Sequence, residues 1–249
     1  MIYAIRYALC AVYTVFWSSL ALPMAFLDRS GESVVWIIRQ WIRWTLVSCG
    51  VRVEREGFEH IDPRRSYVFM SNHQSVFDVA VIVHTLPVSF RFVAKKELTR
   101  IPFFGWALLA SDHVIIDRGH REKSVRSLRR ATERIRAGIN VIIFPEGTRS
   151  PTGELREFKS GGFQLAIEAQ VPILPVTVSG TQRITPKRSL RIESGVVKVV
   201  YGRPIETRGL GVEERKALRD VVRRAIEQGY DPVFQGPRLI PQASGADKR

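Results

Sequence analysis

The sequence predicts an α/β fold: a mixed, largely parallel sheet flanked by helices and preceded by an N-terminal membrane-associated two-helix element. Three observations lead there. Short apolar runs such as Tyr67 to Met70 and Asn140 to Phe144, each ending in a polar loop, read as buried strands. Helix-length segments separate these runs, and strands that alternate with helices build a sheet whose ligands gather at strand ends. Tyr7 to Leu27 carries no charged residue, and at about 1.5 Å per residue it is long enough for a bilayer core of about 30 Å.

Ser33 to Val51 follows with Trp36, Trp41 and Trp44 beside Arg39 and Arg43, a composition suited to the headgroup layer. Two arginines are costly in a spanning helix. The pair, residues 1–50, is therefore expected to lie in one leaflet rather than to cross it as a hairpin. A signal peptide fits less well, because the apolar part is long and no cleavage pattern is clear. Strands are expected at Val51 to Arg55, Ser66 to Met70, Phe90 to Ala94, His113 to Asp117, Asn140 to Phe144, Ile173 to Val178 and Val196 to Tyr201. Helices are expected at Ser75 to Leu86, Phe103 to Ala110, Glu122 to Arg136, Gly162 to Ala169 and Val212 to Gln228. The α/β domain thus spans residues 51–230, and 231–249 reads as a disordered, proline-, glycine- and charge-containing tail.

The 249-residue chain has no repeat or low-complexity linker to divide it, so one catalytic-sized domain is expected. Lysine and arginine number 38 against 24 acidic residues, a formal charge of +14. Such an excess implies polyanionic neighbours: anionic headgroups, nucleic acid or an acidic carrier protein. The segment Arg121 to Arg136 has five more basic than acidic residues. It reads as a solvated face, with docking of anionic lipid or an acidic carrier as the alternative. Cys10 and Cys49 sit in apolar segments and read as small buried side chains rather than as a disulfide or metal site.

Chemistry is concentrated in two strand-end blocks. In Asn72-His73-Gln74-Ser75-Val76-Phe77-Asp78 a histidine precedes an aspartate by five residues. On one continuous helix these would point about 140° apart, so a dyad requires a bend, with His73 in a turn and Asp78 in the first turn of the next helix. A carboxylate on one ring nitrogen fixes the tautomer and stabilises the imidazolium formed when the other nitrogen takes a proton. The bland reading is a loop histidine followed by a favourable first-turn acid. The second block, Pro145-Glu146-Gly147-Thr148-Arg149-Ser150, combines a carboxylate, a glycine that lets backbone approach a ligand, and an arginine whose fork suits phosphate. It could also be an ordinary loop with a solvated arginine.

Four ordered blocks carry a family resemblance: Asn72 to Asp78, Val114-Ile115-Ile116-Asp117-Arg118, Phe144 to Ser150, and Val171-Pro172-Ile173-Leu174-Pro175-Val176. Lys95-Lys96-Glu97-Leu98 and Phe158-Lys159-Ser160-Gly161-Gly162 add to it. In these the chain resembles the glycerolipid acyltransferases, in particular the bacterial enzymes that convert lysophosphatidic acid to phosphatidic acid. The resemblance implies transfer of a fatty acyl group from acyl-CoA or acyl-ACP to the sn-2 hydroxyl of lysophosphatidic acid. It implies His73 as base oriented by Asp78, and Lys95, Arg118 and Arg149 as cations for the acceptor phosphate. Glu146, with Gly147 and Thr148, would contact the glycerol or hold the arginines, and Pro172 would lie on the acyl side. No bound cofactor or metal is implied. The implied partners are membrane lipids and lysophosphatidic acid, with acyl carrier protein as a candidate and no nucleic acid, at a bacterial inner membrane with the domain on its cytoplasmic face. Ser75 offers an acyl-enzyme alternative but is read as a helix N-cap. An acceptor such as a lyso-ornithine lipid is the runner-up, and a non-enzymatic polyanion-binding protein leaves both blocks unexplained.

Overall fold

The computed structural model describes residues 1–28, 30–110, 113–116 and 130–234. Among them the sheet has seven strands: β1 (Val51–Glu56), β2 (Val68–Ser71), β3 (Arg91–Lys95), β4 (Val114–Ile116), β5 (Val141–Ile143), β6 (Ile173–Ser179) and β7 (Gly195–Tyr201). The helices that matter for the site are α1 (Ile2–Leu27), α2 (Glu32–Ser48), α3 (Phe77–Thr85), α4 (Phe104–Ala110), α5 (Gly161–Ala169) and α6 (Arg215–Gly229). Strand order is β1-β7-β6-β2-β5-β3-β4. Every neighbouring pair is parallel except β6 with β7, so the expected mixed and largely parallel sheet is what forms.

The central strands are apolar because both of their faces are covered. Successive side chains of a strand point to opposite faces. Phe69, Ile142, Leu174, Val176 and Val178 accordingly enter one core with α2 and α3. Val68, Met70, Val141, Ile143 and Ile173 enter the other with α5, α6 and the helical residues 130–136. Register then fixes which strand ends meet. Val68 pairs with Val141 on one side of β2 and with Ile173 on the other. From β2 the chain crosses over β5 to reach β3, whereas from β5 it crosses over β2 to reach β6. The crevice between β2 and β5 is therefore a topological switch point, where open α/β sheets bind ligands beyond the carboxyl ends of the strands.

The two N-terminal helices differ in how they are covered. Among the described residues only α1 is long and apolar enough to cross a membrane, and it leaves Val12, Val15, Phe16 and Leu20 exposed. Helix α2 packs one face on the domain: Val35, Ile42 and Leu46 are buried in the first core. Three such side chains contribute roughly 1.5–3 kcal/mol each, comparable together to the whole net stability of a typical domain at about 5–15 kcal/mol. Arg39 turns toward the domain. It donates to the carbonyls of Leu86 and Val88 at 3.0 and 2.8 Å, because an arginine on the inner face of α2 satisfies its guanidinium on the nearest exposed backbone. Trp41 likewise turns inward, onto Phe104, while Trp36, Arg43 and Trp44 stay exposed. The turn between the helices is tied to β3 by Arg91, whose guanidinium donates to the Ser30 carbonyl at 3.0 Å. Gly31 makes room for it, since a Cβ there would stand 2.4 Å from the guanidinium nitrogen.

After α6 the chain stays in contact with the end of β6. The Asp231 amide donates to Ser179 Oγ at 3.1 Å, and Phe234 lies against Gly180. The basic segment Arg121 to Arg136 falls largely outside the described residues. Its last part is helical and buries Ala131 and Ile135.

Candidate active site

Both chemical blocks leave the switch point, one from β2 and one from β5. Asn72 ends the line of β2: its carboxamide donates to the Val178 carbonyl and accepts from the Val178 amide, both at 2.8 Å. The side chain thereby imitates one rung of a ladder to β6 and frees the backbone to turn. His73 sits in that turn, and α3 opens at Phe77 with Asp78 in its first turn. The bend that a five-residue spacing requires is present.

Asp78 is fully buried and surrounded by donors. Its Oδ2 accepts from His73 Nδ1 at 2.8 Å, from the Gln74 amide at 2.6 Å and from the Ser75 amide at 2.8 Å. Its Oδ1 accepts from the Thr181 hydroxyl. With an acceptor on that side, His73 carries its hydrogen on Nδ1 and leaves Nε2 with a lone pair, the state a general base needs. The ring stacks on Phe144 with centroids 4.2 Å apart, and the side chain is 18% exposed, open enough to meet a substrate.

The second block clamps the first through backbone. Glu146 Oε1 accepts from the His73 amide at 2.7 Å, and the His73 carbonyl accepts from the Ser150 amide at 2.8 Å. Glu146 Oε2 accepts from the Arg156 amide at 3.2 Å. Burial pushes the Glu146 carboxyl above the ordinary carboxylate range, and the His73 and Arg156 amides pull it back. Each Glu146 oxygen thus accepts one main-chain bond, which fixes the orientation of the carboxylate. Gly147, at φ +73°, makes a left-handed turn, and the loop returns to the first block at the Ser150 amide. Arg149 is half-buried, and its carbonyl accepts from Lys187 Nζ at 2.6 Å.

The remaining candidates separate. Lys95 closes β3 opposite Ile116, at the same carboxyl edge of the sheet. Arg118 lies outside the described residues. Pro172 is not brought to the dyad: its carbonyl accepts from the Val68 amide at the entry end of β2, about 15 Å of strand from His73. It leads into β6, which is buried throughout. As expected, Ser75 caps α3: Val76 is already in helical geometry, the Ser75 hydroxyl oxygen accepts from the Phe77 amide at 3.3 Å, and the Ser75 amide donates to Asp78. Ser75 gives its hydroxyl hydrogen to the Thr185 carbonyl at 2.9 Å, so that proton is not directed at His73. His60 and His113 bond to main chain, at Tyr201 and Phe92.

Sequence reading missed Thr181 and Lys187. Thr181 follows β6 and stands 103 positions from the carboxylate it serves, and a threonine after a strand gives no signal by itself. Lys187 could have been found as a cation in the basic stretch Lys187 to Arg191, but nothing in sequence joins it to Arg149.

Comparison with known proteins fits this geometry. The Acyltransferase family profile matches residues 52–179, which hold both blocks. The human protein 1-acyl-sn-glycerol-3-phosphate acyltransferase alpha is 32% identical over 215 residues, 86% of this chain and 76% of its own. The 1-acyl-sn-glycerol-3-phosphate acyltransferase of Pseudomonas aeruginosa is 32% identical over 225 residues, 88% of this chain and 85% of its own. The crystal structure of the 1-acyl-sn-glycerophosphate (LPA) acyltransferase, PlsC, from Thermotoga maritima superposes with a TM-score of 0.79 at 31% identity, covering 92% of each chain.

Proposed function

Because the chain belongs to the acyltransferase family, we propose that it transfers a fatty acyl group from acyl-ACP or acyl-CoA to the sn-2 hydroxyl of lysophosphatidic acid, giving phosphatidic acid. The observation that carries this reading is the 2.8 Å bond from His73 Nδ1 to a buried Asp78, which turns Nε2 away from the carboxylate at a residue whose carbonyl is tied to the loop of Arg149 through the Ser150 amide. A hydroxyl is a poor nucleophile until it loses its proton. His73 Nε2 takes that proton as the oxygen attacks the thioester carbonyl. The tetrahedral intermediate collapses, the carbon–sulfur bond breaks, and Nε2 returns the proton to the thiolate. Asp78 holds the ring in the required tautomer and stabilises the imidazolium between the two steps. Glu146 and Thr181 are positioning residues, one for the His73 backbone and one for the Asp78 carboxylate. Arg149, with Lys95 and Arg118 as further candidates, supplies charge for the acceptor phosphate.

Residues 1–50 associate with one leaflet through α1, with the domain on the cytoplasmic face of a bacterial inner membrane. The exposed apolar side of α1 supports this reading. The test of the reaction is to incubate the purified protein with each donor and a panel of lysolipids. The proposal expects phosphatidic acid as product; transfer confined to acceptors without a phosphomonoester would contradict it.

Arg149→Ala is expected to raise KM for lysophosphatidic acid by about 10- to 100-fold, the equivalent of a charged hydrogen bond at roughly 1.5–3 kcal/mol. The donor KM should hardly change. An equal loss with an acceptor lacking phosphate would assign Arg149 to the fold or the donor instead.

Thr181→Val removes one donor from Asp78 while keeping the shape of the side chain. The carboxylate then holds the His73 ring less firmly, and kcat is expected to be about tenfold lower with KM little changed. Thr181→Ser should restore kcat. Wild-type kcat in a folded valine variant would reduce Thr181 to packing.

A further inference from the structure

We propose that the loop formed by residues 185–194 is a second membrane contact, one that binds the headgroups of an anionic bilayer beside the first turns of α1. This rests on the membrane association read from α1 but concerns a surface outside the catalytic residues. The loop is tied to α1 twice: Tyr3 hydroxyl donates to the Glu193 carboxylate, and the Arg6 guanidinium donates to the Ile192 carbonyl. It is tied to the site as well, through the Thr185 carbonyl, which accepts from Ser75, and through Lys187, which donates to the Arg149 carbonyl.

What the loop presents to solvent is basic and apolar together. Arg188 and Arg191 are exposed, and Leu190 between them is 81% exposed. Arg188 is held at φ +67°, a left-handed conformation that a side-chain-bearing residue adopts at a cost and that persists only where its surroundings impose it. The loop has one acidic residue, Glu193, and Tyr3 occupies it. The adjoining turn of α1 adds exposed Met1, Ile2 and Ile5. An acidic protein or nucleic acid would use the arginines but leave this apolar row in water. An anionic leaflet uses both, drawing the arginines to its phosphates and taking Leu190 and the isoleucines below them. The same docking would present a membrane-borne anionic acceptor one loop away from Arg149.

The test places a solvatochromic fluorescent amino acid at position 190 of the full chain, a site exposed enough to accept it. Vesicles of phosphatidylcholine with 30 mol% phosphatidylglycerol, and vesicles of phosphatidylcholine alone, are then added. Emission should shift to the blue on the anionic vesicles far more than on the neutral ones. Arg188→Gln with Arg191→Gln should lower the docked-to-free ratio of the loop about 30-fold on anionic vesicles, from roughly fivefold per arginine at such a surface. Emission unchanged by either vesicle, or a shift that both glutamines leave intact, would overturn the proposal. So would a shift produced by acyl carrier protein without lipid, which would make the loop a protein-docking surface. The fluorophore reads docking without turnover, so failure of the proposed reaction and failure of this surface give different results.

Discussion

His73→Ala is expected to lower kcat for acylation of lysophosphatidic acid by about 10²- to 10⁴-fold, the range attributable to a positioned proton-transfer group. The protein should remain folded, for a reason visible at the residue. The ties that place His73 are made by its amide to Glu146 and its carbonyl to Ser150, and alanine keeps both. What is lost is an imidazole stacked on Phe144 and partly open to solvent, with its bond to Asp78, whose carboxylate keeps the Gln74 and Ser75 amides and the Thr181 hydroxyl as donors. Thermal unfolding should therefore change little while turnover collapses. A folded variant with near wild-type turnover would end the assignment of His73 as base.

Asp78→Asn is expected to cost a comparable factor in rate and, unlike the histidine change, a measurable amount of stability. Four donors converge on this buried carboxylate: His73 Nδ1, the amides of Gln74 and Ser75, and the Thr181 hydroxyl. An asparagine offers one oxygen and must aim its own N–H₂ at the rest. At least one buried donor is left without an acceptor, which costs roughly 1–3 kcal/mol. At this chain length that lowers Tm by several degrees, at about 2–4 °C per kcal/mol. The rate falls because a neutral amide neither fixes the Nδ1–H tautomer nor stabilises the imidazolium. Unfolding by calorimetry beside steady-state kinetics separates the two effects. An active variant with unchanged Tm would mean that the donors do not need a charge at their centre.

The fold was legible where burial leaves a simple pattern. β2, β5 and β6 are covered on both faces, so their runs contain little but apolar side chains and stand out against the loops. The start of α3 was legible from the local pair Ser75 and Asp78, which cap one another, whereas the tie from Asn72 to Val178 depends on a strand 106 residues away. The role of α2 was legible only in part. Its tryptophans and arginines suggested a headgroup environment, yet which of them face the domain depends on the tertiary position of Leu86 and Val88. The dyad could be proposed from spacing, whereas Thr181 and the clamp from Glu146 depend on contacts 103 and 73 residues apart. Pro172 shows the opposite case, since its motif neighbours reach the site edge only at the far end of β6.

The central claim is that His73 and Asp78 act as one unit in removing the acceptor's proton. A double-mutant cycle tests it most directly, with a radiolabelled acyl donor sensitive enough to follow residual transfer to lysophosphatidic acid. Groups that act through one another give strongly non-additive losses. The combined His73→Ala and Asp78→Asn variant should therefore transfer acyl groups at a rate within about twofold of His73→Ala alone. A double variant slower by the product of the two single losses would contradict the dyad and assign each residue a separate role.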